Sequence, residues 1–137
     1  MTKEVIEQLK ADEGFSDTPY RCTANKLTIG YGKQVDFLNI TQEEAEKWLK
    51  EDVGKIEKKL VNKFWWYMGC PEQVKIVVIS MCYQLGVSGF SKFRKTIDLI
   101  AKKEYKKASI EMLDSRWATQ TPNRAKRLSN RLNKLGD

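Results

Sequence analysis

Apolar residues recur at three- and four-residue steps along most of the chain, and the pattern changes only near its start. Val5, Ile6 and Leu9 fall on one face, with Glu4, Glu7 and Lys10 elsewhere. That spacing predicts an amphipathic helix over residues 3–12, delivering Asp12 and Glu13 at its C-terminal end. The helical period then stops. Gly14, Ser16, Asp17, Pro19, Asn25, Gly30 and Gly32 punctuate two β-prone pieces, Pro19–Cys22 and Leu27–Tyr31. A small antiparallel hairpin or three-stranded sheet is expected there.

Thr41 with Glu44 three residues later reads as a capping box. Ala45, Trp48, Leu49, Val53, Ile56 and Leu60 continue at helical steps, which predicts a long helix broken by nothing stronger than Gly54. Glycine there costs up to about 1 kcal/mol relative to alanine. Pro71 is placed for the first turn of the next helix. Its residues Val74, Ile76, Val77, Val78, Ile79, Met81, Cys82, Tyr83 and Leu85 are apolar nearly all round, so it should be buried on every side. Gly86 and Gly89 end it. Residues 91–113 predict two short helices, one with Phe93, Ile97 and Ile100, the other with Tyr105, Ala108 and Met112. Thr121-Pro122 opens a last helix, with Thr as N-cap and Pro at the first position. Ala125, Leu128 and Leu132 face inward; Arg124, Lys126, Arg127, Arg131 and Lys134 face outward. The aromatic run Phe64-Trp65-Trp66-Tyr67-Met68 reads first as core packing, and second as a platform for stacking sugars.

The chain has 137 residues, enough for one domain or two small lobes sharing a core. No apolar run approaches the roughly 18 residues of a membrane span. MTKEVIEQLK lacks the apolar centre of an export signal, so synthesis in the cytoplasm is expected. Three widely spaced cysteines, Cys22, Cys70 and Cys82, argue for reduced thiols rather than a disulfide framework. Histidine is absent, which excludes His-based zinc sites and Ser-His or Cys-His nucleophile systems. The net charge of +7 is uneven: residues 102–137 carry ten basic and four acidic side chains. A basic C-terminal third implies an anionic partner, and nucleic acid, an acidic wall polymer and an outer-membrane surface fit the charge equally.

Glu13 closes a helix and faces a loop and a hairpin. The helix dipole disfavours a carboxylate at that end, which suits a group that has to carry a proton. Eight residues separate Glu13 from Cys22, and five separate Cys22 from Thr28. This pattern resembles the catalytic signature of phage-type lysozymes, glycoside hydrolase family 24. The flanks fit: Glu13-Gly14, Tyr20 before Cys22, and Thr28-Ile29-Gly30-Tyr31-Gly32. A second block, Ser115-Arg116-Trp117 followed by Gln120-Thr121-Pro122-Asn123-Arg124-Ala125-Lys126-Arg127, looks like the C-terminal signature of that family. Between them, Ile40-Thr41, Glu44-Ala45-Glu46-Lys47 and Asp52-Val53 match the start of its long connecting helix.

The resemblance implies an α+β, mostly helical, lysozyme-like fold forming a single domain over residues 1–137. A small N-terminal β-hairpin lobe, about 13–40, would be joined by a connecting helix, about 41–63, to a larger helical lobe, about 64–137, which includes the N-terminal helix. It implies an endolysin that hydrolyses the β-1,4 bond between N-acetylmuramic acid and N-acetylglucosamine in peptidoglycan and lyses the host cell. Cleavage needs an acid for the leaving oxygen and a second group across the sugar. Glu13 would be the acid. Cys22 stands where the commoner pattern has a carboxylate, and as a thiolate it would act as base, charge stabiliser or nucleophile, its pKa lowered by Arg21 or Lys26. The family's inverting chemistry favours the base, with Thr28 holding the same water. Residue by residue, the plainer readings are a strand threonine for Thr28 and a small buried hydrophobe for Cys22.

Tyr83 and Gln84 would face the cleft, Thr121 would approach substrate, and Arg124 would pair with Glu13. Lys33 replaces a histidine common in the family, and the short segment from Lys33 to Asn39 implies a more open cleft. No metal or organic cofactor is implied. Peptidoglycan is the expected partner of a monomeric chain with no nucleic acid and no stable membrane insertion. A separate holin-type pore would release it to the wall after membrane permeabilisation. Two alternatives remain: a catalytically weak peptidoglycan-binding relative, and a basic nucleic-acid-binding domain, which lacks a helix-turn-helix or zinc signature here.

Overall fold

The computed structural model describes residues 3–136; Met1, Thr2 and Asp137, the ends of the 1–137 span, lie outside the described residues. The fold is α+β, 65% helical, with one three-stranded antiparallel sheet near the start of the chain. Two compact units are distinguished, one ending at Ala45 and the other starting at Glu46.

In the first unit, helix α1 (Lys3–Glu13) is followed by β1 (Ser16–Arg21), β2 (Leu27–Gly30) and β3 (Lys33–Gln34), paired in the order β1-β2-β3. The helix stops because Gly14, at φ 71°, turns its N–H onto the Lys10 carbonyl at 3.0 Å, a left-handed C-cap that glycine adopts freely. The β1–β2 connection is a turn with a left-handed residue after it. Asn25 N–H donates to the Cys22 carbonyl at 2.8 Å, Asn25 itself sits at φ 60°, and Cys22 N–H donates to Lys26 O at 3.0 Å. Asparagine tolerates that conformation better than most side chains. Pro19, with no N–H to give, falls where the β1–β2 register slips between Ser16 and Tyr20. A 3-10 turn, Val35–Phe37, follows β3. The predicted capping box is present, Glu44 N–H donating to Thr41 Oγ1 at 3.0 Å.

Helix α2 (Gln42–Lys63) runs 22 residues, matching the helix expected from its capping box. Of its apolar stripe only Leu60 is buried, while Trp48 is 50% and Leu49 44% exposed. The other helices are α3 (Glu72–Phe90), α4 (Arg94–Ala101), α5 (Tyr105–Glu111), α6 (Arg116–Gln120) and α7 (Pro122–Asn133). Every member of the buried cluster lies at Leu60 or beyond.

Two expectations for α3 need correction. By length and composition it is apolar enough to cross a membrane, although no such run was expected from the sequence. Val74, Val77, Val78, Met81, Cys82 and Phe90 are buried in the core cluster. Nor is it buried on every side: Tyr83 is 49% exposed. Gly86, at φ 77° and ψ 159°, breaks the helix, and one more turn carries it to Phe90.

The aromatic run divides. Trp66 and Tyr67 are buried, and Phe64 packs between Trp66 and Phe90 with ring centroids 5.0 and 6.0 Å away. Tyr67 donates its hydroxyl to Glu57 at 2.6 Å, tying α2 to this segment. Trp65 points outward, 84% exposed. Helix α4 ends in a Schellman turn, with Lys103 N–H on Ile100 O and Glu104 N–H on Leu99 O, both at 2.9 Å. The left-handed position is filled by Lys103 at φ 63°, where a side chain costs about 1–2 kcal/mol relative to glycine.

Candidate active site

In the first unit, register places Tyr20 opposite Thr28 and Thr28 opposite Gln34. Side chains two apart along a strand share a face, so Tyr20, Cys22, Thr28 and Gln34 lie on one side of the sheet. Thr28 is the buried member, and its hydroxyl donates to Lys26 O at 2.8 Å. Cys22 sits at the mouth of the β1–β2 turn. Its thiol is held below the ordinary value mainly by the backbone N–H of Lys26, then by that of Ala24, with the Thr28 hydroxyl adding less. The expectation that the cationic side chains of Arg21 or Lys26 do this is therefore corrected. The turn aims backbone donors at the sulfur, and Arg21 spends a guanidinium N–H on Asn25 O at 3.4 Å. A hydroxyl has one proton. Thr28 serves Lys26 O in this arrangement, and turns to the sulfur at that bond's expense.

Glu13, the last residue of α1, packs against Gly32. A Cβ built on Gly32 would lie 2.8 Å from the carboxyl carbon of Glu13 and 3.3 Å from its Cγ. Gly32 also sits at φ 72°. Backbone strain and close approach both require glycine here. Tyr31 beside it packs against Phe15 with ring centroids 5.5 Å apart and tilted at 52°, and lies 5.7 Å beneath the Lys10 ammonium, fixing the β2–β3 turn next to the end of α1.

The second unit holds the remaining candidates, and here two local expectations, the Thr121 side-chain cap and an outward-facing Arg124, are corrected. Gln84 is exposed, and its carbonyl oxygen accepts the indole N–H of Trp117 at 2.8 Å. This fixes the amide orientation and leaves its two N–H donors directed away from Trp117. Tyr83 stands beside it, exposed. Trp117 borders a groove of about 640 Å³ that also meets Leu85, Phe93, Lys95, Glu111 and Arg116. Ser115 caps α6, accepting from Ala118 N–H at 3.1 Å while donating to Met112 O at 2.8 Å. Thr121 is an N-cap by position only. Its hydroxyl donates back to Trp117 O at 2.9 Å instead of accepting from α7, because its backbone, at φ −130° and ψ 64°, turns the side chain toward the preceding short helix. Arg124, expected on the outer face, is half-buried and donates to the Ser80 carbonyl of α3 at 3.1 Å. Arg131 likewise reaches Gln73 at 2.7 Å.

The structure thus brings Cys22 and Thr28 together in one unit, and Gln84 and Trp117 in the other. Neither Gly32 nor Trp117 was picked out for these contacts from the sequence. The signal for Gly32 was present in Thr28-Ile29-Gly30-Tyr31-Gly32, but the side chain it admits comes from a helix many residues away. Among the described residues no cluster of potential metal ligands occurs.

A sequence model of the phage lysozyme family matches residues 10–134 of the chain. Two curated proteins of Dictyostelium discoideum are similar over nearly their whole length. One, described as probable T4-type lysozyme 2, is 28% identical over 158 residues, covering 93% of this chain and 92% of the relative. The other, probable T4-type lysozyme 1, is 27% identical over 157 residues with the same coverage.

Proposed function

The chain belongs to the phage lysozyme family and is a glycoside hydrolase of the lysozyme type, and on that premise we propose that it is an endolysin. It hydrolyses the β-1,4 bond between N-acetylmuramic acid and N-acetylglucosamine in peptidoglycan, with Glu13 as general acid. Glu13 gives its proton to the leaving glycosidic oxygen as the bond to the anomeric carbon breaks. Water attacks that carbon from the other side. The Cys22 thiolate takes the proton the water loses, and the Thr28 hydroxyl helps to hold the water. Solvent returns Glu13 and Cys22 to their starting protonation states. Gln84, its carbonyl occupied by Trp117, offers N–H donors to the glycan, with Tyr83 beside it. Thr121 and Arg124 contact the substrate. A separate pore-forming protein opens the way to the wall, and cleavage lyses the host cell.

The observation that supports this reading best is the cradle around Cys22. A sulfur faced by the N–H groups of Lys26 and Ala24 and by the Thr28 hydroxyl is stabilised as an anion. That is the charge a carboxylate would carry at the same position. A thiol in place of the carboxylate also favours the second reading, a wall-binding relative with weak chemistry.

Digestion of purified peptidoglycan by wild type, Glu13→Gln and Cys22→Ser separates the two, with released sugar ends identified by mass spectrometry. Wild type alone should produce new reducing muramic-acid ends. Release by Glu13→Gln at the wild-type rate would overturn the acid assignment. Full activity of Cys22→Ser would remove the thiol from the mechanism. Binding without any release by wild type would establish the second reading.

A further inference from the structure

A small aromatic-walled cavity lies at the start of the helical unit. Trp65 is 84% exposed although its neighbours Trp66 and Tyr67 are buried. It forms the rim of a cavity of about 240 Å³ whose other walls include Trp66, Cys70, Ile100, Lys103 and Tyr105. The volume is below the usual range for a drug-sized ligand and suits a single substituted ring. The walls are apolar and aromatic, and Lys103 is the charged side chain among them. No ion pair among the described residues involves Lys103. It also occupies the left-handed position closing α4, where glycine would be less strained. The left-handed conformation of Lys103 thus places a cation among the cavity walls, with the outward tryptophan at the rim.

We infer that this cavity binds one N-acetylated amino sugar bearing a free carboxylate, a muramic-acid unit of a glycan strand from which the stem peptide has been removed. Trp65 stacks on the ring face, the N-acetyl methyl group enters the apolar walls, and Lys103 pairs with the lactyl carboxylate. The identity of the glycan rests on the proposed peptidoglycan reading. Trp65 precedes α3, whereas Tyr83 and Gln84 lie near its far end; Glu72 and Gln84 are separated by roughly 18 Å of helix. The site would therefore hold a sugar distant from the one held at Gln84, keeping the enzyme on an insoluble wall between cuts.

Three measurements test this on the full chain. Sedimentation with peptidoglycan stripped of its stem peptides by an amidase should weaken roughly three- to tenfold in Trp65→Ala, the range for losing one aromatic stacking contact. Hydrolysis of short soluble fragments should be unchanged. The Trp65 indole NMR signal should move with the disaccharide of N-acetylglucosamine and N-acetylmuramic acid, and less with diacetylchitobiose, which lacks the carboxylate. Lys103→Gly should raise thermal stability while reducing disaccharide binding to the chitobiose level, whereas a purely structural Lys103 predicts the stability gain alone. Unchanged sedimentation of Trp65→Ala beside normal wall hydrolysis would overturn the second site and leave the proposed function standing. Failure of wild type to bind or cleave peptidoglycan would overturn both. Movement of the Trp65 signal with a single-stranded oligonucleotide but with neither sugar would assign the cavity to nucleic-acid bases instead.

Discussion

The carboxyl group of Glu13, closing α1, occupies the space that a side chain on Gly32, in the turn between β2 and β3, would need. No side chain larger than hydrogen leaves that carboxyl where it is. Gly32→Ala therefore acts in two ways. The left-handed φ costs stability, about 1–2 kcal/mol, and the new methyl group pushes the end of the Glu13 side chain aside. The second effect costs little stability, because a flexible carboxyl can move, but it displaces the proposed acid. Gly32→Ala should fold, melt a few degrees lower, and lose at least about tenfold in kcat on peptidoglycan, as a misplaced catalytic group does. Gly30→Ala shares the positive φ, at 69°, but meets nothing within 4 Å, so it should show the stability loss with most of the activity kept. Equal activities for the two variants would refute the placement argument.

The three cysteines should react in a set order. Backbone N–H groups hold the Cys22 thiol below its usual range, while burial pushes Cys70 up and Cys82 to about 12. Since the thiolate is the nucleophile, iodoacetamide at neutral pH should modify Cys22 first, then Cys70, with Cys82 inert until unfolding. The lowered value also means that Cys22 modification sets in at lower pH than for a free thiol. Peptide mass spectrometry reads both. Activity should fall in step with Cys22 labelling, and Cys22→Asp should resist the reagent. Full activity after complete labelling of Cys22 would remove the thiol from the mechanism.

Much of this architecture was legible from periodicity and caps. The 22-residue α2 follows from Thr41, Glu44 and the apolar steps through Leu60, all local signals. The sheet was legible because turn formers bracket its strands. What was not legible depends on direction. Nothing in the linear spacing says that the N–H groups of Ala24 and Lys26, rather than two cationic side chains, face the Cys22 sulfur. The αL turn at Asn25 decides it. Arg124 falls on the polar side of α7 by period, yet its long stem reaches Ser80 on α3. A polar residue flanking a buried stripe snorkels either way. The aromatic run was divisible only once Trp66 and Tyr67 had filled the core and left Trp65 outside.

Alkaline stability should fall through groups that are buried in their neutral form. Burial, and then Glu57, raise the Tyr67 hydroxyl well above its usual range, and burial takes Cys82 to about 12. A group whose folded value is raised stabilises fully below its unfolded value and loses that contribution as pH rises toward the folded one. The window for Cys82 is therefore about pH 9 to 12, and Tyr67 continues the loss from about pH 10 upward. Urea midpoints measured from pH 7 to 11 should fall, and Cys82→Ala should flatten the slope while costing about 1 kcal/mol at neutral pH for the small cavity it opens. An unchanged slope in Cys82→Ala would show that the thiol contributes nothing to the loss.

The Trp117–Gln84 hydrogen bond offers a test of how the second unit presents its polar groups. Trp117 is 5% exposed and donates to Gln84 at 2.8 Å. Trp117→Phe keeps most of the aromatic packing against Phe93, 5.9 Å away, but removes the donor. Gln84 is exposed, so water replaces the lost partner, and the stability cost should be about 1 kcal/mol together with any packing loss. The amide then rotates freely, and its N–H donors are no longer held in place. If Gln84 positions the glycan, Trp117→Phe should raise KM for peptidoglycan, Gln84→Ala should raise it more, and the double variant should match Gln84→Ala alone. Such non-additivity marks two residues acting through one contact. Additive losses would mean that Trp117 serves the groove it lines independently of Gln84.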